Sequence, residues 1–466
     1  MTENSTPSSL DHYREQARTL HKLKLFEEAL PLHQVVCQSS EATGWDHYYM
    51  ANTLHKLRRY DEAREACKRA WKMFPDAKPD DLRRLAGWCV YQCGLKPLAR
   101  DGSEEGEDGD ADHQEDGPSD RLEKAAKAAE WICRNTSQSV GSPFTKAVLT
   151  FSKILKRAAR WQQLEEWTAR LDPSTLSPDP WIPGRSDQDG KTRELASDLE
   201  TWFGYRTKAL LQTERYAECA DLCEQYERAI LKPHYDWDVW IPFYRAQSLR
   251  ALGRRREAHS ILDGLLRKKR AASLLRFKAS LLQEDGDLKR AWQVALDGAL
   301  ELRETKNDPK LVQLLARLAR ERGDLEAARR HFELYLATYR SQDWNIPEAI
   351  RIEAENAGVT LLKAVSVAEA DHLFRELRRW WWKELESIEP RVRGVVENII
   401  GQAGFIRTGD RESLYFNARE FKRAALGMEV DFWIREGWDY KKKCISKVAV
   451  RVRVPRPTIS LDTDLR

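Results

Sequence analysis

Two four-residue segments, Leu20-His21-Lys22-Leu23 and Leu54-His55-Lys56-Leu57, are identical and lie 34 residues apart. The similarity continues beyond them, since Phe26-Glu27-Glu28-Ala29 matches Tyr60-Asp61-Glu62-Ala63 at its aromatic, acidic and alanine positions. A fixed period of this length indicates that the chain repeats one supersecondary unit, which buries its apolar face by stacking on its neighbours. The small alanine lets two elements approach closely, and the aromatic three residues earlier fills the adjoining space.

This period and spacing resemble the tetratricopeptide repeat, a helix-turn-helix unit. Similar turn-and-helix starts recur later as Gly253/Arg255/Ala258, Gly286/Leu288/Ala291 and Gly323/Leu325/Ala328, with weaker aromatic and small pairs at Tyr216/Cys219 and Trp161/Leu164. The resemblance predicts a mainly α fold with tetratricopeptide-like helical repeats over residues 11–340. An array of such repeats forms an α-solenoid that presents an extended surface to a peptide or protein partner.

Three segments depart from the repeat pattern. Residues 1–10 are polar and predict a disordered N-terminus. Residues 101–120 contain ten acidic residues and no Lys or Arg, which predicts a disordered insertion. The insertion could be an acidic mimic that shields a basic groove, but we favour a tolerated loop insertion, because lengthening a loop costs little entropy. Residues 172–190 contain four prolines and predict an irregular connection.

Helical periodicity returns in residues 341–390, which we interpret as C-terminal helices followed by a linker at Glu389-Pro390. This region contains the run Trp380-Trp381-Trp382. Three consecutive side chains cannot all lie on one side of a helix. At least one ring should therefore pack against a neighbour, either the last repeat or the domain that follows.

The chain changes character after residue 390. Five short runs rich in β-branched and aromatic residues, separated by Gly, Asn, Asp and Lys, predict five strands in residues 391–454, followed by a tail over 455–466. Residues 391–456 carry fifteen Lys or Arg and eight Asp or Glu, whereas the whole chain has a net charge of only +4. This local surplus favours an acidic partner such as nucleic acid.

Several of these runs resemble the cold-shock domain, a five-stranded OB-type barrel. Gly394-Val395-Val396 looks like the first strand of that family, Gly404-Phe405-Ile406 like the end of its first nucleic-acid motif, and Leu414-Tyr415-Phe416-Asn417 like its second. Residues 427–432 fit the pattern of its fourth strand. The resemblance implies that the helical repeats are followed by a small C-terminal five-stranded β-barrel of the cold-shock or OB type.

The resemblance also implies a nucleic-acid-binding face. Strand alternation places Phe405 and Arg407 on one face of their strand. It places Tyr415 and Asn417 on one face of the next strand, and in the family such faces stack bases on aromatic rings. The side chains expected to contact phosphates are Arg407, Arg411, Lys441, Lys442 and Lys443. At further platform positions the family's aromatic residues are replaced by Asn398, Ala403 and Ala418.

Catalytic and metal-binding motifs do not accompany these features in the sequence. Residues 184–192 superficially resemble a phosphate loop, but five residues separate its glycines where that loop needs four, and its two aspartates would repel an anion. The pairs Cys89/Cys93 and Cys219/Cys223 lie one helical turn apart without further ligands, so we interpret them as small packing residues. We expect no enzyme activity, no metal and no cofactor.

The sequence therefore predicts a non-catalytic adaptor, whose repeats bind a protein or peptide and whose C-terminal domain contacts single-stranded RNA or DNA. The alternative is a pure protein-interaction scaffold whose barrel binds no nucleic acid. The chain shows neither a secretory signal nor an apolar run that could span a bilayer, so we expect a cytoplasmic protein without a membrane partner. The architecture resembles bacterial repeat proteins with cold-shock-like tails that have been linked with anti-invader conflict systems, so a defence role is a hypothesis by analogy. The oligomeric state stays open.

Overall fold

The computed structural model describes residues 9–74, 77–99, 118–182, 194–359, 365–439 and 442–455. The predicted disordered segments, 1–10 and 101–120, fall mostly outside these ranges, as do parts of the connection 172–190 and most of the tail 455–466. The chain divides into two compact units, Met1–Ser248 and Leu249–Arg466. Each unit is described by itself.

The first unit consists of consecutive helices. They are α1 (Ser9–Lys22), α2 (Phe26–Gln38), α3 (Gly44–Lys56), α4 (Tyr60–Met73), α5 (Asp80–Val90), α6 (Pro118–Asn135), α7 (Pro143–Arg157), α8 (Trp161–Thr168), α9 (Asp198–Gln212), α10 (Tyr216–Ala229) and α11 (Trp237–Ala251), within which the boundary to the second unit falls. A π-helical turn at Tyr91–Leu95 extends α5.

The second unit combines further helices with all five strands. The helices are α12 (Arg255–Lys268), α13 (Ala272–Glu284), α14 (Leu288–Glu301), α15 (Pro309–Glu321), α16 (Leu325–Ser341), α17 (Glu348–Asn356) and α18 (Val367–Ile388). The strands are β1 (Val392–Ile400), β2 (Ala403–Thr408), β3 (Ser413–Asn417), β4 (Glu429–Asp439) and β5 (Cys444–Arg453). The chain is mainly helical, and within the described residues all strands follow residue 390.

The turns inside the helix pairs share one backbone conformation. A residue with a positive φ ends the first helix of seven pairs, namely Lys24, Arg58, Ala159, Glu214, Gly253, Gly286 and Gly323. The N–H of the next residue then donates to the carbonyl five positions back, as in the 2.9 Å bond from Arg59 to Leu54. This is the Schellman arrangement, which satisfies the last carbonyls of a helix. The predicted turns at the three glycines are confirmed.

The small residue after each turn has the predicted role. Five positions after each positive-φ residue, the second helix buries a side chain that is at most 1% exposed. Six of these side chains are small and one is a leucine: Ala29, Ala63, Cys219, Ala258, Ala291, Ala328 and Leu164. At these points the two helices of a pair approach closely, so a larger side chain would separate them. The recurring turn and the buried small residue together confirm a fold of tetratricopeptide-like helical repeats.

The five strands form one closed sheet. β1 pairs with β2 and β4, β2 pairs with β3, β4 pairs with β5, and β3 pairs in parallel with β5. The order β1-β2-β3-β5-β4 therefore returns to its starting strand. Its interior contains the buried side chains of Val396, Ile406, Leu414, Phe416, Val430 and Phe432. Gly404 admits the Phe416 ring, because a Cβ at Gly404 would lie 2.2 Å from that ring.

Within the second unit, the tryptophan run joins the helices to the β domain. Trp381 is fully buried and its Nε1–H donates to Nε2 of His331, on α16, at 2.8 Å. Trp382 stacks on Trp433 of β4 with ring centroids 5.4 Å apart and an interplanar angle of 11°. The guanidinium of Arg391 lies 3.9 Å from the centre of the Trp433 ring. The expectation that the run packs against a neighbour is confirmed for both the last repeat and the β domain.

A buried carboxylate reinforces this junction. Asp297, on α14, is 6% exposed and forms ion pairs with Arg270, which follows α12, and with Arg451 of β5. The Nε atom of Arg435, on β4, lies 3.6 Å from the same carboxylate. The backbone carbonyl of Asp297 also accepts a 2.6 Å hydrogen bond from Arg451. One acidic residue of a helix thus holds two strands of the β domain. We call Asp297 and its three arginine partners the Asp297 junction.

Candidate nucleic-acid interface

The outer face of β2 and β3 carries the predicted platform. Along β2 the buried residues Gly404 and Ile406 alternate with less buried ones, so the Phe405 ring points away from the interior of the sheet. Along β3, Leu414 and Phe416 are buried, whereas Tyr415 is 41% exposed. This alternation follows from the two-residue period of a strand with one packed face.

Strand register brings the two aromatic side chains together. Phe405 and Tyr415 are direct cross-strand partners. Their ring centroids lie 6.1 Å apart with an interplanar angle of 72°, an edge-to-face arrangement that aromatic pairs favour. The register also places Asn398 of β1 beside Phe405 and Val448 of β5 beside Tyr415. A row of side chains therefore crosses four strands, with the two rings at its centre.

The other predicted platform residues flank this pair. Arg407 lies opposite Ser413, and Asn417 lies opposite Ala403, in the same β2–β3 ladder. The Arg407 guanidinium is 3.8 Å from the carboxylate of Glu397 on β1. The Asn417 amide donates to Glu420 at 3.1 Å. The structure thus places the four platform residues on one face, but it gives two of them acidic neighbours.

The remaining predicted phosphate contacts lie in turns. Arg411 is in the β2–β3 turn with a φ of 60°, and Lys443 is in the β4–β5 turn with a φ of 52°. The backbone N–H of Lys442 donates to Asp439 at 3.0 Å, whereas Lys441 lies outside the described residues. Because β3 and β5 run parallel, the turns that precede them are at the same end of the sheet.

One basic residue of this region has no counterpart among the sequence predictions. Lys447, on β5, forms a 3.0 Å ion pair with Glu412, beside the β2–β3 turn. It precedes Val448, the residue paired with Tyr415. From the sequence, only its position in the last strand run was known. The parallel pairing of β3 with β5 brings Lys447 beside the β2–β3 turn.

The structure revises the meaning of the local positive charge. Four arginines of residues 391–456 pair with acidic residues of the helices or of their ends, so they do not form a free basic surface. Arg391 and Arg453 bind Glu386 at 3.0 and 2.6 Å. Arg435 binds Glu389 at 2.5 Å, and Arg451 binds Glu301 at 2.6 Å. The composition had suggested that these basic residues meet an external acidic partner. For these four arginines, the acidic residues are supplied by the helical part of the same unit.

Burial and neighbouring charges shift the pKa values of two ionisable groups between the helices and the β domain, Arg391 and Asp297. Burial and the nearby positive charge of Arg453 lower the pKa of Arg391 to about 10, although Glu386 partly offsets them. Burial would raise the pKa of Asp297, but Arg451, Arg270 and Arg435 outweigh burial and hold that pKa well below its usual range. Both groups are charged at neutral pH, as their ion pairs require.

The described part of the chain contains no group of three or more His, Cys, Asp or Glu side chains placed to hold a metal ion. All eight cysteines lie within that part and are free thiols. Cys89, Cys219 and Cys223 are fully buried, as the packing interpretation predicts, and Cys93 is partly buried. Among the same residues, a search for helices that could cross a membrane found none of sufficient length and apolar character.

Comparison with known proteins matches residues 239–359 to a family described as a domain of unknown function, DUF7017. No curated protein matches the chain. Among solved structures, the chain is similar to a tetratricopeptide repeat protein from Parabacteroides merdae, at 8% identity and a TM-score of 0.28, over 66% of this chain and 99% of that one. It is also similar to the C-terminal part of a repeat protein from Cytophaga hutchinsonii, at 11% identity and a TM-score of 0.29, over 75% of this chain and all of that one.

A third similar structure is the human IFIT1 dimer with m7Gppp-AAAA, at 11% identity and a TM-score of 0.33, over 80% of this chain and 74% of that one. The RNA named with that structure is a property of that protein. At these identities and scores the similarities carry no functional argument. The assignment of helical repeats depends instead on the recurring turns and buried small residues described above.

Proposed function

We propose that the protein is a non-catalytic adaptor, whose helical repeats bind a protein partner and whose β domain binds single-stranded nucleic acid. The observation that carries the nucleic-acid part is the pairing of Phe405 with Tyr415 on an outward-facing strand surface. Two adjacent aromatic side chains beside Arg407 offer stacking and charge together, the combination that single-strand-binding surfaces use. For the repeats, the support is the recurrent helix-pair architecture, which serves protein contacts in repeat proteins.

We further propose that the closed sheet is a cold-shock-like OB domain. Two features support this assignment. Gly404-Phe405-Ile406 lies on β2 and residues 414–417 lie on β3, adjacent strands, as the resemblance requires. The five-strand order with a parallel β3–β5 pair closes the sheet.

The geometry sets the expected strength and character of binding. Each stacked base contributes about 1–3 kcal/mol with little sequence preference, so two rings support weak binding of a short stretch. Phosphate contacts from Arg407, Arg411 and Lys443, with Lys442 and Lys441, would make the affinity fall as salt rises. Neighbouring acids at Glu397 and Glu412 should reduce that electrostatic contribution.

The test is binding of fluorescein-labelled single-stranded oligonucleotides, one RNA and one DNA of the same mixed sequence, at several salt concentrations. The double variant Phe405→Ala/Tyr415→Ala should weaken binding by at least about tenfold, since it removes two stacking side chains. Leu426→Ala is the matched control, because Leu426 is an exposed apolar residue of the same domain, 74% exposed, and lies on neither strand. Equal binding by the double variant and the wild type would refute the platform.

The second candidate is a protein-interaction scaffold without nucleic acid. It is favoured by the four arginines that the helices already neutralise. In that case neither oligonucleotide would bind the wild type even at low salt, where electrostatic attraction is strongest. The cytoplasmic location and the defence role stay hypotheses from the sequence.

A further inference from the structure

A groove in the first unit has the composition of a peptide-binding site. It has a volume of about 520 Å³ and is lined by α4, α5 and the end of α6. Ligand-binding clefts in proteins typically have volumes of roughly 300–1,000 Å³. We call it the Trp71 groove, and it is lined by basic side chains of α4, by Trp71 and Trp131, and by small apolar residues of α4 and α5.

Its rim is strongly basic. Arg64, Lys68 and Lys72 lie four residues apart on α4, so they follow one side of that helix. Glu65 is the one acidic side chain among the lining residues; it pairs with Lys68 at 2.6 Å and lies 3.9 Å from Arg64. Arg64 also lies 3.7 Å from Asp61, outside the lining. In the part of the chain that the structure describes, Lys72 forms no ion pair. The rim therefore presents a net positive charge to whatever enters the groove.

Its walls are aromatic and its floor is apolar. The Trp71 and Trp131 rings lie 5.6 Å apart at an angle of 48°. Neither indole N–H has a hydrogen-bond acceptor among the described residues, so both can donate to a ligand carboxylate or carbonyl. Cys67 and Ala86 are buried, at 3% and 5% exposure, and form the floor with half-buried Val90.

This combination discriminates between classes of ligand. A base would need an open ring face, but the two indoles pack against each other and the Lys78 ammonium lies 6.0 Å from the centre of the Trp71 ring. The apolar floor beside the rings suits an aliphatic side chain instead. Interface anchors are commonly apolar side chains buried in such pockets, surrounded by polar contacts at the rim. Positive rim charge then selects acidic residues on either side of the anchor.

The chain's own acidic stretch lacks such an anchor. Residues 101–117 contain nine acidic residues but no aromatic residue and no Leu, Ile, Val or Met. Their charge would suit the rim, but they have no large apolar side chain to pack on the floor beside the tryptophans. The occupant is therefore better sought in another protein.

We infer that the Trp71 groove binds an acidic peptide segment of a partner protein, anchored by one large aliphatic side chain that packs on the apolar floor beside the Trp71 and Trp131 pair. The inference rests on the proposed role of the repeats in binding a protein, and it adds the location and the chemistry of the ligand. The carboxylates of the peptide lie along Arg64, Lys68, Arg69 and Lys72.

The experiment measures fluorescence anisotropy of a labelled twelve-residue peptide of Glu, Asp and Ser with one central Leu, added to the full-length protein. The wild type should bind this peptide, and a central Leu→Ala peptide or a peptide of sequence 101–117 should bind more weakly. Lys68→Glu/Lys72→Glu, at two exposed positions, should weaken binding by about tenfold, since each reversal replaces attraction with repulsion at the rim. Lys153→Glu, an exposed charge reversal on α7, should leave binding unchanged.

Three results would overturn the inference: no binding by the wild type, equal binding by the charge-reversed variant, or equal binding by the 101–117 peptide. Displacement of the peptide by an oligonucleotide would also overturn it, because the groove would then be a nucleic-acid site. Oligonucleotide binding is measured on the same preparations. We expect Lys68→Glu/Lys72→Glu to keep its oligonucleotide binding and Phe405→Ala/Tyr415→Ala to keep its peptide binding. With these two controls, a failure of the groove proposal can be told apart from a failure of the proposed nucleic-acid binding by the β domain.

Discussion

Replacing Asp297 with Asn should destabilise the second unit and loosen its β domain. The substitution keeps the shape of the side chain but removes the negative charge, while Arg270, Arg435 and Arg451 stay in place. The side chains of these arginines are 10–19% exposed, so three positive charges would remain largely desolvated. Removing one partner of a buried ion pair costs about 3–5 kcal/mol. Glu301 and Glu389 still neutralise two of the arginines, which places the expected loss near the lower end, at about 3 kcal/mol.

The assay is urea denaturation of the wild type and of Asp297→Asn, with hydrogen exchange of the β4 and β5 amides under native conditions. Both strands should exchange faster in the variant, because Arg435 and Arg451 hold them to α14. Asp285→Asn is the control, since Asp285 pairs with His259 and Arg255 at a partly exposed site. Such a pair contributes at most about 1 kcal/mol. A loss below about 1 kcal/mol for Asp297→Asn, with unchanged exchange in both strands, would refute the reasoning.

Asp297→Asn should also change how the stability of the protein depends on pH, and the direction of that change can be worked out. The folded pKa of Asp297 lies well below its usual range, because the three arginines outweigh the opposing effect of burial. The stabilisation is therefore fully present above the unfolded pKa of about 3.9 and is lost as the pH falls towards the folded pKa. The stability difference between the wild type and the variant should be constant near neutral pH and should shrink below about pH 4.

Two further predictions concern single positions in the second unit. Burial lowers the pKa of His331 to about 4, so the wild type should lose stability as the pH falls from about 6.5 towards 4. His331→Gln, which keeps an acceptor for Trp381, should reduce that loss in thermal unfolding at pH 7 and pH 5. His372→Gln, at an exposed position, should not, and equal pH profiles for the wild type and both variants would contradict the assignment. Gly323→Ala, at a φ of 82°, should destabilise by about 1–2 kcal/mol. Gly264→Ala, inside α12, should stabilise by up to about 1 kcal/mol. Neither new Cβ meets an atom within 4 Å, so unfolding curves with the same shift for both would be evidence against the turn conformation.

The local elements were predictable because their determinants are close in sequence. The 34-residue period, the glycines at 253, 286 and 323 and the small residues three positions into each second helix depend on contacts inside one helix pair. Likewise, strand alternation placed Phe405 and Tyr415 on outward faces, because the two-residue period of a strand needs only the identity of neighbouring residues. Their cross-strand pairing then followed from a short hairpin.

Charge could not be interpreted in the same way. Composition indicated a basic C-terminal domain, but the acids that neutralise Arg451 lie 150 and 154 residues away, at Glu301 and Asp297. A count of charges cannot show which of them face each other across a tertiary contact. The Trp71 groove was missed for a related reason, since Trp71 and Trp131 lie 60 residues apart and meet only when α4 packs near α6.

The sequence by itself determined the repeated helix pairs, the change to strands after residue 390 and the outward position of the two aromatic side chains, because periodicity and turn chemistry act over a few residues. Only the tertiary structure decided how the strands close into one sheet, which tryptophan of the run meets His331 and which meets Trp433, and how much of the basic charge stays free. These outcomes depend on packing between elements distant along the chain, where burial converts a surplus arginine into one half of an ion pair.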